Sequence, residues 1–252
     1  MTRKDFVIGD PTHETLSADC PKCGHRNIQN RTDDLKTDQA IARTETKCEK
    51  CGHLFAIGGD LINPTHERLL FDAGPYLHRK EHAEVVQRVA RAYEAFFART
   101  LRIQLVLRPF YRGFKDLSDA QELQEQLSEH TKRHTFEPLR HLFLKIIVER
   151  VVPNNVADAR ETIKDLPDKN YKMKKETVEA VTDPKLQPLL LGIYETGINS
   201  LRNRVMHKEA YQPSWEEAEA AYTEGSRLIH NLGFQLGLQG DDNYYINGRD
   251  RA

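Results

Sequence analysis

At 252 residues, with 37 Lys and Arg against 38 Asp and Glu, the chain suits one large domain or one small and one medium domain. A net charge of -1 excludes a polycation, so any affinity for nucleic acid must come from a local patch rather than from average charge. No apolar run approaches the roughly 20 residues that span a bilayer, and Met1-Thr2-Arg3-Lys4-Asp5-Phe6 lacks the apolar core of a signal peptide. The expectation is a cytoplasmic protein with no membrane partner.

Residues 1–16 form a short N-terminal segment. The stretch up to about Phe55 is rich in Thr, Asp, Asn and Cys and shows little helical periodicity. Within it, Cys20-Pro21-Lys22-Cys23-Gly24-His25 and Cys48-Glu49-Lys50-Cys51-Gly52-His53 are two near-copies of one turn, with 24 residues between Cys23 and Cys48. Each Cys-x-x-Cys lets two thiolates converge on one ion, and the following glycine permits the tight backbone path around it. Two such pairs complete a tetrahedral sulfur site, and in a chain without an export signal they point to metal rather than disulfides.

The module over residues 17–57 resembles a zinc ribbon. The resemblance implies Zn²⁺ on Cys20, Cys23, Cys48 and Cys51, although four thiolates would also suit iron. With all four ligands from protein there is no open position for substrate, so the expected role is structural. His25 and His53 are read as turn residues rather than ligands.

Residues 58–77 read as a linker, and helical periodicity begins at His78. Val85, Val86, Val89, Tyr93, Phe96, Phe97, Thr100 and Leu101 form an apolar stripe that Pro109 and Gly113 interrupt. A second helical stretch starts near Ser118 with Leu123 and Leu127. It continues through Leu139, Leu142, Phe143, Ile146, Ile147 and Val151, with a kink or break expected at Pro138. Pro153-Asn154-Asn155 ends it, and 156–166 is a short helical candidate.

Asp183-Pro184 reads as a cap and first helical position, followed by the stripe Leu186, Leu190, Ile193, Gly197 and Leu201. Ser214 with Glu217 is a capping-box signature, opening a helix that carries Ala218, Ala221, Tyr222, Gly225, Ile229, Leu232 and Leu236 inward. The tail 237–252 is polar and expected to fray. The fold class is an all-α body over 78–236 behind a small β-type module.

Between the last two helices lies Leu201-Arg202-Asn203-Arg204-Val205-Met206-His207. Arginine binds a phosphodiester, and histidine, with an ordinary pKa near neutrality, can move protons on and off its oxygens. On residue chemistry alone, Arg202 and His207 suit capping of a helix C-terminus equally well. Five residues at about 100° each also put the two some 140° apart on a regular helix. They can meet at one phosphate only if the helix ends near Met206 or a second subunit supplies the missing group.

Leu201 to His207, followed by Tyr211, Pro213 and Ser214-x-x-Glu217-Ala218, resembles the C-terminal signature of HEPN domains. The helix with Ala90, Ala92, Glu94 and Phe97 is similar to the first helix of such domains. The resemblance spans about 78–236, with only 201–218 specific, and 105–182 carries no alignable signature. It implies an all-α HEPN-like bundle and a metal-independent endoribonuclease assembled as a homodimer, of the kind found in toxins and anti-phage defence.

Carried over, Arg202 would neutralise the scissile phosphate and Asn203 would orient the histidine or bond a phosphate oxygen. His207 would serve as general base or acid, and Glu94 would support the site from behind. RNA would be the substrate, the catalytic step would need no cofactor, and an antitoxin or other regulatory partner would restrain the protein. The competing expectation is a non-catalytic scaffold that binds nucleic acid or a partner protein.

Two further groups invite functional readings. Lys169, Lys172, Lys174 and Lys175 around Tyr171 could follow an RNA backbone but read as a solvated loop. His130, His134 and His141 share a helical spacing but lack a carboxylate to complete a ligand set, and are read as surface or interface residues.

Overall fold

The computed structural model describes residues 15–20, 22–30, 43–58, 64–109, 117–207 and 211–238. Most of the expected N-terminal segment, Gly113 and the tail from Gln239 lie outside the described residues. Two compact units divide at Pro64 and Thr65.

The first unit holds two antiparallel hairpins. Strand β1 (Thr15–Asp19) pairs with β2 (Arg26–Asn30), Asp19 opposite Arg26, and β3 (Arg43–Lys47) pairs with β4 (Leu54–Gly58), Lys47 opposite Leu54. The turns that join the paired strands carry the cysteine pairs and their glycines. Gly24 and Gly52 adopt φ +67° and +69°, a left-handed conformation that disfavours any side chain.

The second unit is helical. Helix α1 (Thr65–His78) precedes α2 (His82–Arg102), which runs on as a buried π-helical turn, Ile103–Leu107. There follow α3 (Leu117–Thr131), α4 (Phe136–Val148), α5 (Val156–Lys164), α6 (Lys175–Glu179), α7 (Gln187–Glu195), α8 (Ile198–His207) and α9 (Trp215–Gln235). No described helix is long and apolar enough to cross a membrane.

Helix α2 is the hub, packed against α1, α4, α8 and α9. That explains its broad stripe: Val85, Val86, Val89, Ala90, Ala92, Tyr93, Phe96 and Phe97 are all buried because neighbours cover most of its circumference. Tyr93, Phe96 and Phe97 meet Phe136 and Phe143 of α4 in tilted and edge-on pairs, the closest with centroids 5.0 Å apart. Each such ring removed from water contributes about 1.5–3 kcal/mol, which makes this cluster the centre of the core.

On the far side, α9 can approach α2 closely because residue 225 is glycine. A Cβ there would lie 2.7 Å from Val89 Cγ1.

Three boundaries differ from the sequence reading. The helical unit begins at Thr65 rather than His78, since the segment read as linker contains α1. Its Leu70, Ala73 and Leu77 recur at helical steps and are buried against α2, while the breaker pair Gly74-Pro75 obscures that period in sequence.

The stretch around Pro138 breaks earlier than the proline, at residues 132–135. Pro138 sits in the first turn of α4, where its missing N–H has no intrahelical partner to lose.

The stripe from Leu186 to Leu201 belongs to two helices. Thr196 takes an extended ψ of 128° that ends α7, and Arg140 Nη1 holds its carbonyl at 3.3 Å. Asn199 Nδ2 donates to Glu137 at 2.9 Å, fixing the start of α8 on α4.

Candidate functional site

In the cysteine module, the two turns are built alike. Cys20 N–H bonds the His25 carbonyl at 2.9 Å and Gly24 N–H bonds the Cys20 carbonyl at 2.8 Å. Cys48, His53 and Gly52 repeat the pattern at 2.8 and 2.9 Å. Cys20 Sγ lies 3.7 Å from Cys51 Sγ, and Cys23 Sγ lies 3.6 Å from Cys48 Sγ. All four sulfurs fall within 4.8 Å of one another. A tetrahedron with metal–sulfur bonds of about 2.3 Å has edges of about 3.8 Å, so the cluster could hold a single metal ion.

The Cys48 thiol, against desolvation, is brought down to about 6 by the N–H groups of Cys51 and Lys50. That of Cys23, although the His25 backbone favours its thiolate, is pushed up to about 12 by desolvation and the neighbouring sulfurs. Four thiolates this close repel one another unless a cation sits among them.

One residue not singled out in sequence joins the two turns. Buried Asn27 donates from Nδ2 to the His25 carbonyl at 2.8 Å and accepts at Oδ1 from Glu49 N–H at 3.0 Å. A signal for it exists: Asn27 occupies the place in the first copy that Phe55 holds in the second. The rings of His25 and His53 are outside the four-sulfur cluster.

In the helical unit, α8 presents Ile198 and Leu201 to the core and leaves Asn203, Met206 and His207 exposed. Arg202 lies between these faces and bonds Glu94 of α2, Nη1 to Oε1, at 2.7 Å. Both side chains are about three-quarters withdrawn from solvent, at 25% and 27% exposure. Glu94 and Arg202, distant in sequence, are therefore brought together. Arg202 and His207 are not, because α8 stays helical through His207 and keeps them on different faces.

The connection to α9 is held by a carboxylate with three partners and by the backbone of the same residue. Glu217 accepts from Tyr211 Oη at 2.6 Å, Arg204 Nη2 at 3.1 Å and Ser214 N–H at 3.0 Å, while Ser214 Oγ accepts from Glu217 N–H at 3.2 Å. Ser214 and Glu217 form the capping box read from sequence. The Tyr211 hydroxyl, then Ser214 and Arg204, hold Glu217 below the usual carboxylate range.

Arg204 also lies over the Tyr211 ring, 4.6 Å from its centroid. His82 Nδ1 sits 2.9 Å from the Pro213 carbonyl, tying this connection to the start of α2. Arg204 and His82 are supports to which the sequence reading gave no role; Arg204 stands inside the quoted segment, while His82 belongs to no local pattern that would mark it.

The remaining candidates do not assemble a site. Lys175 pairs with Glu195 at 2.6 Å, which partly neutralises the lysine cluster, and the Tyr171 ring lies under Lys145 of α4. His130 and His134 stack with centroids 5.3 Å apart, but His141 is buried elsewhere and accepts from Met173 N–H at 3.3 Å. His141 is thus a core residue rather than the surface or interface residue expected, because its ring packs between α4 and the chain before α6. No family profile, curated protein or solved structure matches this chain.

Proposed function

We propose that the helical unit is a HEPN-type endoribonuclease that cuts RNA without a catalytic metal, and that the cysteine module is a structural zinc ribbon. The observation that supports the reading is the Glu94–Arg202 pair, on a helix that also leaves Asn203 and His207 exposed. A partly buried carboxylate fixes the direction of the guanidinium, and Arg202 retains further N–H donors for a phosphate oxygen.

In this reading His207 takes the proton from a ribose 2′-hydroxyl or returns one to the departing 5′-oxygen. The 2′-oxygen forms a bond to phosphorus as the bond to the 5′-oxygen breaks, leaving a 2′,3′-cyclic phosphate and a 5′-hydroxyl. Arg202 offsets the charge that builds on the phosphate, and Asn203 orients His207 or bonds a phosphate oxygen. Since α8 does not end before His207, the second route to convergence applies: Arg202 of one protomer faces the His207 of another across a homodimer.

The same separation of Arg202 from His207 favours a second reading, a scaffold that binds nucleic acid or a partner protein without cutting. Purified protein incubated with total RNA distinguishes them. His207→Ala and Arg202→Ala should each lower cleavage about 10²–10⁴-fold with helical content retained. Wild-type rates in both variants would eliminate this mechanism, and RNA retention without cleavage by the wild type would establish the scaffold.

A further inference from the structure

A cavity of about 480 Å³ opens between α1, α2 and α9, within the size range of small-molecule sites. Its α9 wall is a single stripe, Tyr222, Ser226, Ile229 and Gly233, at steps of four, three and four residues. On a regular helix the span from Tyr222 to Gly233 is about 16 Å. The volume, spread over that length, leaves room for one slender chain rather than a broad ring system.

The facing wall is mostly apolar. Leu70 and Phe71 of α1 and Phe96 of α2 line it, and Phe71 is a large apolar side chain left 38% exposed. His66 lines it too, packed edge-on against Phe96 with centroids 5.2 Å apart. Burial, and then the Arg99 charge, push His66 down to about 3, so its ring adds no charge near neutral pH.

Two neutral hydroxyls interrupt this apolar lining. Tyr222 and Ser226 are half-buried, one helical turn apart, and neither hydroxyl is hydrogen-bonded among the described residues. Either can donate to or accept from a ligand oxygen.

The charged side chains at the cavity select neither sign. Glu67 and Arg227 are both exposed, where water screens them, and Arg99 has an interaction of its own. Arg227 also lies near Glu224, whose carboxyl is raised by burial and lowered by the Arg227 charge. A charged head would lose its water here without a buried counter-charge to replace it, whereas a neutral hydroxyl exchanges water for Tyr222 and Ser226.

We propose that this cavity binds a neutral single-chain amphiphile, of the long-chain alcohol or monoacylglycerol class. Its chain lies along α9 against Leu70, Phe96 and Ile229, and its hydroxyl-bearing head meets Tyr222 and Ser226. The inference is independent of RNA cleavage.

The test is calorimetric titration of the full chain with decanol, decanoate and decylamine. Saturable decanol binding at one site per chain is expected, about tenfold tighter than either charged analogue. Decanol should also raise the melting temperature. Tyr222→Phe and Ser226→Ala each remove one hydroxyl and should each weaken decanol about fivefold. Gly233→Leu should abolish binding, because a Cβ at 233 stands 3.9 Å from Phe96 and a longer side chain enters the cavity.

The comparison of three ligands on the wild type stands without any variant. No saturable decanol binding, or decanoate or decylamine binding as tightly as decanol, would overturn the proposal. So would undiminished decanol affinity in a folded protein carrying both Tyr222→Phe and Ser226→Ala, or in a folded Gly233→Leu protein.

Discussion

Glu94 and Arg202 meet at 2.7 Å although 108 residues separate them, joining the middle of α2 to the last turns of α8. The contact gives Arg202 a fixed direction and gives Glu94 a reason to lie beside an otherwise apolar stripe. It also makes the orientation of α8 depend on an ion pair as well as on Ile198 and Leu201.

Loss of the carboxylate should therefore separate positioning from binding. Glu94→Gln keeps an acceptor and removes the charge, and should lower kcat for RNA cleavage about tenfold with KM unchanged. Stability should fall by about 1–2 kcal/mol, between surface and buried pairs. A rise in KM at constant kcat would instead assign Glu94 to substrate binding.

A composite site predicts complementation. Arg202→Ala and His207→Ala proteins, each inactive, should recover about a quarter of wild-type cleavage when mixed and allowed to exchange subunits. Half of the dimers are then mixed, and one of their two sites is intact. No recovery despite demonstrated exchange would place both groups of a site in one protomer.

For the cysteine cluster, elemental analysis should find one zinc per chain, with Cys48→Ser or Cys51→Ser reducing it to a small fraction of that. Chelation should unfold the hairpins, whose binding energy of about 10–16 kcal/mol comes from the ion. The far-ultraviolet signal of the helical unit should survive, because its core is built on α2. Iron in place of zinc would refute the assignment of the metal.

Close approach of α9 to α2 makes Gly225 sensitive. Gly225→Ala should lower stability by about 1–3 kcal/mol, since the 2.7 Å contact with Val89 outweighs a helix-propensity gain of about 1 kcal/mol. Gly197→Ala, where a Cβ meets nothing within 4 Å, should be neutral or slightly stabilising. Thermal melts of the two variants decide the sign.

His66 makes stability fall in mild acid. Its folded pKa of about 3 lies below the unfolded value of 6.5, so the unfolded chain binds the proton more readily in that window. Stability is fully present above pH 6.5 and is lost as pH falls toward 3, by about 2–3 kcal/mol at about pH 4.5. Denaturant midpoints of His66→Phe should lack this part of the pH dependence.

Much of the fold was legible where neighbours in sequence decide the outcome. The Cys-x-x-Cys-Gly turns depend on a glycine conformation and a few local hydrogen bonds. The Ser214–Glu217 box and the α2 stripe follow from capping and a 3.6-residue period. Helix α1 was obscured because Gly74-Pro75 breaks the local signal that packing on α2 overrides. The split at Thr196 was hidden because Arg140, far away in the chain, holds the carbonyl that ends α7.

By itself, the sequence determined four cysteines placed for one ion, a mainly helical body, and an Arg-Asn-x-x-x-His segment leading into a capped helix. Each of these depends on residues a few positions apart, where backbone geometry limits the alternatives. Only the tertiary structure decided that Glu94 reaches Arg202 and that His66 borders a cavity. Those relationships depend on how helices distant in the chain pack, and packing is set by the fit of many side chains at once.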